Sequence, residues 1–214
     1  IEEHKDDEDA LMEYFDHERY VKEEYYKQID KKLMELTKLK ETPYFGKVIF
    51  SDEDDCQEEI YVGRYGLTKD ATFESIIIDW RAPIASLFYK GSLGPTTYKT
   101  PDGELSADIL ARRQFVIKKG SLQGYFDSEV DVKDEILQMI LSSNSGEKLK
   151  DIVMTIQQEQ DDIIREERMK VVVVNGVAGS GKTTIALHRV AYLLYNYRQQ
   201  LGNKVLVLGP NDIF

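Results

Sequence analysis

Three regimes of hydrophobic and polar residues follow one another along the 214 residues. Residues 1 to 41 contain no Gly or Pro and are rich in Glu, Lys, Leu, Met and Tyr, which predicts one long helix. Leu11, Phe15, Tyr25, Ile29, Leu33 and Leu36 fall near helical spacing, with a break around Glu18 and Lys22. A helix of this length standing clear of a domain needs a partner. Two readings stay open: a solvated helix packed by one face on its own domain, or one arm of an antiparallel coiled coil whose mate lies outside this chain.

Pro43 ends the helix, and from Tyr44 to Phe126 the pattern shortens to β-rich runs separated by turn residues. Strands are predicted at Lys47 to Ser51, Glu59 to Tyr65, Phe73 to Asp79, Ala85 to Lys90, Thr96 to Thr100, part of Glu104 to Ile117, and Ser121 to Phe126. Pro101-Asp102-Gly103 and Lys119-Gly120 have hairpin chemistry. The expectation is a small, mainly antiparallel β module whose core takes Tyr61, Phe73, Trp80, Phe88 and Phe115. Asp79 and Arg81 flank Trp80, either as a turn clamp or as a surface contact.

Helical signals return at Asp134 to Ser142 and Lys148 to Glu167, split by the polar turn Ser142 to Gly146. Ile152, Ile156, Ile163 and Ile164 share the buried side of the second stretch, which leaves Gln157 and Gln160 for polar work. Val171 to Val174 then read as a buried parallel strand, Thr184 to Gln199 as a helix, and Lys204 to Leu208 as a second strand. Strand, loop, helix and strand make one right-handed βαβ unit. The fold class is therefore α+β with a partial α/β end. A helical arm covers 1–42, an antiparallel β module 43–131, and a helical connector with the start of a RecA-like P-loop domain 132–214.

Charge alters the picture in two places. The net charge of −11 excludes a chain that grips nucleic acid with its whole surface. Within the arm, residues 1 to 18 hold nine acidic side chains and one Lys, whereas Lys22 to Lys40 holds six basic and four acidic ones. The acidic block Asp6 to Asp9 reads as a solvated helix end rather than a metal site. Cys56, the single cysteine, has no internal disulfide partner and reads as an incidental exposed thiol. With no signal peptide and no apolar run of membrane-spanning length, a reducing, cytoplasmic setting is expected.

The chemistry concentrates between the two predicted strands. Gly176, Gly181, Lys182 and Thr183 satisfy G-x-x-x-x-G-K-[ST], a pattern expected by chance in roughly one per cent of chains this long. Across Gly176, Val177, Ala178, Gly179, Ser180, Gly181, Lys182, Thr183 and Thr184, glycines let successive N–H groups turn inward to form an anion site. The following helix start reinforces that site. Lys182 would reach the outer phosphates, and the Thr183 hydroxyl would help to hold Mg²⁺. The competing reading is a glycine-rich turn that only packs.

Gln160 precedes Gly176 by sixteen residues. That spacing resembles the glutamine motif and Walker A loop of superfamily 1 helicases of the UvrD type, in which the glutamine amide reads adenine. An amide offers one donor and one acceptor edge, which matches adenine and mismatches guanine. The helix around His188 to Leu193 and the stretch Lys204 to Asn211 are similar to the segments that follow in those helicases.

Thr42-Pro43-Tyr44-Phe45-Gly46, Ile78 to Ile84, Arg113-Gln114-Phe115 and Asp151 to Gln157 narrow the resemblance to the HelD family, helicase-IV-like proteins that associate with bacterial RNA polymerase. The resemblance implies a coiled-coil arm entering the polymerase secondary channel, a small β module and a helicase-type ATPase core. It further implies ATP and Mg²⁺ as cofactors, RNA polymerase and DNA as partners, and ATP-linked release of polymerase from nucleic acid; the oligomeric state stays open, with a monomer expected. Thr184 departs from the Arg common after Lys-Thr in UvrD-type enzymes. No Walker B acid pair, second RecA-like domain or arginine finger follows before Phe214, so this stretch alone is expected to bind nucleotide weakly and not to turn it over. A DNA repair helicase and a non-catalytic protein-interaction module remain as alternatives. A small P-loop kinase is disfavoured by Gln160 and by the long region before the loop.

Overall fold

The computed structural model describes residues 3–100, 103–127, 156–167, 169, 171–177, 179–202 and 204–209, with side chains of the first helix from residue 18 onward. The glycine-free opening forms a single helix, α1 (Glu3–Glu41). Its described apolar residues stay in solvent except at the end, where Leu39 is buried. There Lys38 Nζ donates to the Tyr65 hydroxyl (3.2 Å), and the Glu41 carbonyl accepts from the Gly120 N–H (2.8 Å).

Period-two alternation produces the sheet that follows: β1 (Gly46–Ser51), β2 (Gln57–Gly63), β3 (Leu67–Thr68), β4 (Ser75–Asp79), β5 (Gly94–Thr100), β6 (Gly103–Lys118) and β7 (Ser121–Asp127). Along β1 buried and half-buried positions alternate strictly, placing Val48 and Phe50 inward. The strand order is β3-β4-β2-β1-β6-β5, with β7 also on β6. Pairing is antiparallel except between β2 and β4, so the sheet is mixed rather than purely antiparallel. The long β6 serves two neighbours on one side, β5 along its first half and β7 along its second. Thr100 pairs with Gly103 across the first expected hairpin, whose Pro101 and Asp102 lie outside the described residues. Lys119 (φ 50°) and Gly120 (φ 74°) make the second, the left-handed pair a two-residue hairpin requires.

Three expectations change. The stretch from Ala85 to Lys90 is not a strand: Pro83–Ala85 form a 3₁₀ turn and Ser86–Tyr89 a short helix, α2. Pro83 sets the helical φ at the first position, and Leu87, Phe88 and Tyr89 are all buried, which no alternating strand face allows. Arg112 closes the end of α2 by donating to the Phe88 and Lys90 carbonyls. Phe73 is not core; it sits at φ 55° in a turn and is 84 % exposed. Of the other aromatics, Trp80 and Phe88 are buried, while Tyr61 and Phe115 flank Tyr44 at half depth.

The third change concerns the apolar runs either side of the loop. Neither Val171–Val174 nor Lys204–Leu208 is a strand, and Val171 and Leu208 are 76 % and 85 % exposed. A parallel strand needs at least one paired neighbour and cover on both faces. Among the described residues neither run has a paired strand beside it. Helices do form nearby: α3 (Gln158–Arg165), α4 (Lys182–Asn196) and the single turn α5 (Arg198–Leu201). The expected helix Asp134 to Ser142, the first half of Lys148 to Glu167 and the turn between them lie outside the described residues. No described helix is long and apolar enough to cross a membrane. One hydrophobic core runs without a break from Val48, Phe50 and Trp80 of the β module to Ile164, Ile185 and Tyr192 of α3 and α4.

Candidate functional site

The glycine-rich loop ends where α4 begins. Gly181 is the N-cap of α4 at φ 82°, and Gly179 holds φ 81°, both in the left-handed region that glycine alone enters at no steric cost. A Cβ on either would meet nothing within 4 Å, so both face open space. A Cβ on Gly176 would instead come 2.6 Å from Ser180 Oγ, so the loop closes tightly at its start. The first helical hydrogen bond is Ile185 N–H to the Gly181 carbonyl, 2.9 Å. No side chain caps α4, and its first turn has no acidic residue, so the amides of Lys182, Thr183 and Thr184 are left for an anion.

Lys182 folds back over the loop. Its Nζ donates to the Gly176 and Val177 carbonyls at 2.8 and 2.6 Å. An ammonium held on two neutral carbonyls stands where an anionic oxygen would be its better partner. The exposed Thr183 and half-buried Thr184 occupy the first turn of α4, and Ala178 lies outside the described residues. The residues present fit a phosphate chain, and the Thr183 hydroxyl fits a hard cation beside it.

Gln160 is the third residue of α3. Gln157 and Gln160 form a capping box, in which the Gln160 side-chain oxygen accepts the Gln157 N–H at 3.2 Å and the Gln157 side chain accepts the Gln160 N–H. Gln160 is therefore held in one orientation. α3 rests on α4 through Ile163, Ile164, Ile185 and Tyr192, and Arg189 of α4 donates to the Ile163 carbonyl at 2.5 Å. The helix bearing the candidate base reader and the helix bearing the candidate phosphate site thus pack directly on each other.

Sequence reading missed the joint behind this pair. Asp161, only 4 % exposed, binds Arg165 Nε through both carboxylate oxygens at 2.7 and 2.9 Å. Arg165 also donates to the Trp80 carbonyl (2.6 Å) and the Ala82 carbonyl (3.0 Å), and lies against the rings of Tyr192 and Tyr89. Burial pushes the Asp161 carboxyl above its ordinary range, outweighing the opposing pull of Arg165. Burial likewise drives the fully enclosed Tyr89 hydroxyl well up.

Arg81 clamps the turn, as one of its two expected readings had it, with Nε and Nη2 on the Asp79 carboxylate at 2.8 and 2.6 Å, and it also covers the Tyr195 ring. Trp80 meets His188 edge to face, Asn196 donates to the Arg81 carbonyl, and the Gln158 side chain accepts the Gly91 N–H. A cleft of about 280 Å³, lined in part by Arg64, Trp80, Arg81 and His188, runs beside this joint and not at the loop. The available signal was the i, i+4 pair Asp161 and Arg165 straddling Ile164.

No curated protein matches the chain. The family described as DNA helicase IV HelD, N-terminal domain, matches residues 2–140, more than half of the chain. That span takes in α1 and the whole sheet, and with them three of the four motifs quoted for the resemblance, all but Asp151 to Gln157. The chain belongs to the HelD family of DNA helicase IV, whose N-terminal domain it carries.

Proposed function

We propose that the chain is the N-terminal part of an ATP-dependent, UvrD-like helicase or translocase that binds bacterial RNA polymerase and helps to release it from nucleic acid. The observation that carries the reading is the loop at the start of α4: two left-handed glycines, an uncapped first turn and a lysine parked on the loop's own carbonyls. In this reading Lys182 leaves the Gly176 and Val177 carbonyls for the outer phosphates, and the first-turn amides of α4 hold the remaining oxygens. Thr183 ligates Mg²⁺, and Gln160 reads the adenine edge. Mg²⁺ held there would supply positive charge against that of the outer phosphates.

The domain limits 1–42, 43–131 and 132–214 belong to the same proposal, as do cytoplasmic location and a DNA-facing role for the intact protein. A helicase acting on DNA alone is the competing reading. The arm argues against it, because its acidic first half suits a basic or metal-containing protein cavity better than a phosphate backbone. The test is Lys182→Ala in the full-length protein. ATP turnover should be abolished and ATP affinity lowered at least tenfold, about 1.4 kcal/mol, by calorimetry. Retention of most ATPase activity would sink the assignment.

A further inference from the structure

Gln160 and Lys182 serve opposite ends of one nucleotide only if α3 and α4 keep a single relative placement. α3 has eight residues, too few to hold helical form by itself, so its position comes from tertiary contacts. The fully buried Ile164 supplies attraction without direction, because apolar burial is non-directional. Direction comes from Arg165, whose guanidinium is a rigid fork of N–H donors.

One edge of that fork lies on Asp161 of the same helix, and its two terminal nitrogens reach the Trp80 and Ala82 carbonyls of the turn. Its central carbon lies over the rings of Tyr192 of α4 (5.2 Å) and Tyr89 of α2 (5.8 Å). At the other end of α3, the bond from Gly91 N–H to Gln158 (2.9 Å) prevents swivel about this point. Four segments are thus registered by one side chain.

We infer that Arg165 is a positioning residue for base selection: it fixes α3 against α4 and the Trp80–Ala82 turn so that Gln160 meets the adenine edge while Lys182 holds the phosphates. The inference rests on the reading of Gln160 given above. Lysine at 165 would keep the charge but, as a point donor on a flexible stem, would lose the fork.

The test is equilibrium binding of fluorescent mant-ADP and mant-GDP to the full-length protein, with native fold checked by thermal unfolding. Wild type should prefer the adenine nucleotide. Gln160→Ala and Arg165→Lys should each lose about tenfold in mant-ADP affinity and leave mant-GDP nearly unchanged. Equal losses for both nucleotides in Arg165→Lys, or a preference retained there while Gln160→Ala loses it, would overturn the positioning role. A preference retained in Gln160→Ala, or absent from wild type, overturns the reading of Gln160 and this inference with it. Should Arg165→Lys not fold, the double variant Asp161→Asn/Arg165→Gln removes both charges together and carries the same expectation.

Discussion

Arg165 and Asp161 form a nearly buried ion pair whose worth shows best when one partner is removed. Deleting a single member leaves an uncompensated buried charge, at a cost of about 3–5 kcal/mol. Arg165→Met should therefore lower unfolding free energy by about that amount near neutral pH, measured by urea denaturation. The deficit should also depend on pH. Asp161 already titrates above the ordinary carboxylate range because of burial, and without Arg165 it rises further. The folded chain then holds that proton more tightly than the unfolded chain does. The group's contribution to stability is thus present below the unfolded pKa and lost as pH rises through the raised folded value. The deficit of Arg165→Met relative to wild type should widen from acid toward neutral pH. A deficit that is flat across this window would show that Asp161 does not carry the cost.

Gly46 opens β1 directly under the Phe88 ring of α2, and a Cβ at this position would overlap that ring. Phe88 is itself wedged between Phe45 and Tyr89, both in edge-to-face contact. The ring is buried, so a shift away from Gly46 would disturb these contacts. Gly46→Ala should destabilise the β module by about 1–3 kcal/mol, read as a lowered urea midpoint with unchanged slope. The same region shows where sequence is informative. β1, β5, β6 and β7 were legible because alternation is a local signal and a hairpin joins β6 to β7. α2 was not, because its apolar run fits a buried strand equally well until Arg112, from another strand, supplies its end. The glycine-rich loop was legible as one contiguous motif, whereas Arg165 meets the Trp80 carbonyl across 85 residues of sequence, which no local pattern reports. The valine runs misled for a related reason: composition favours a strand, but pairing requires neighbours.

The continuous core makes the β module, α3 and α4 one packed body, from which α1 projects. Tyr20, Tyr25, Ile29, Leu33 and Leu36 lie exposed on α1, and among the described residues the docking contacts fall at its end, Lys38 to Glu41, with Thr42 beyond. Removing residues 1–36 spares those contacts. It should leave the thermal unfolding of the remainder nearly unchanged and, on the proposed polymerase reading, abolish co-purification with RNA polymerase. Undiminished capture of polymerase by the shortened protein would mean that the arm is not the contact. Helix length gives the arm a mechanical meaning as well. At 1.5 Å per residue its 39 residues are about 58 Å long, of which about 52 Å lies beyond a base only one turn deep. It is a lever with a short fulcrum, so a tilt of about 5° at Leu39 sweeps its far end through about 5 Å. The hydrogen bonds at Glu41 and Thr42 therefore act as the aiming gear of the whole projection, and Ångström-scale rearrangement of the β6–β7 hairpin beneath them is magnified at the tip.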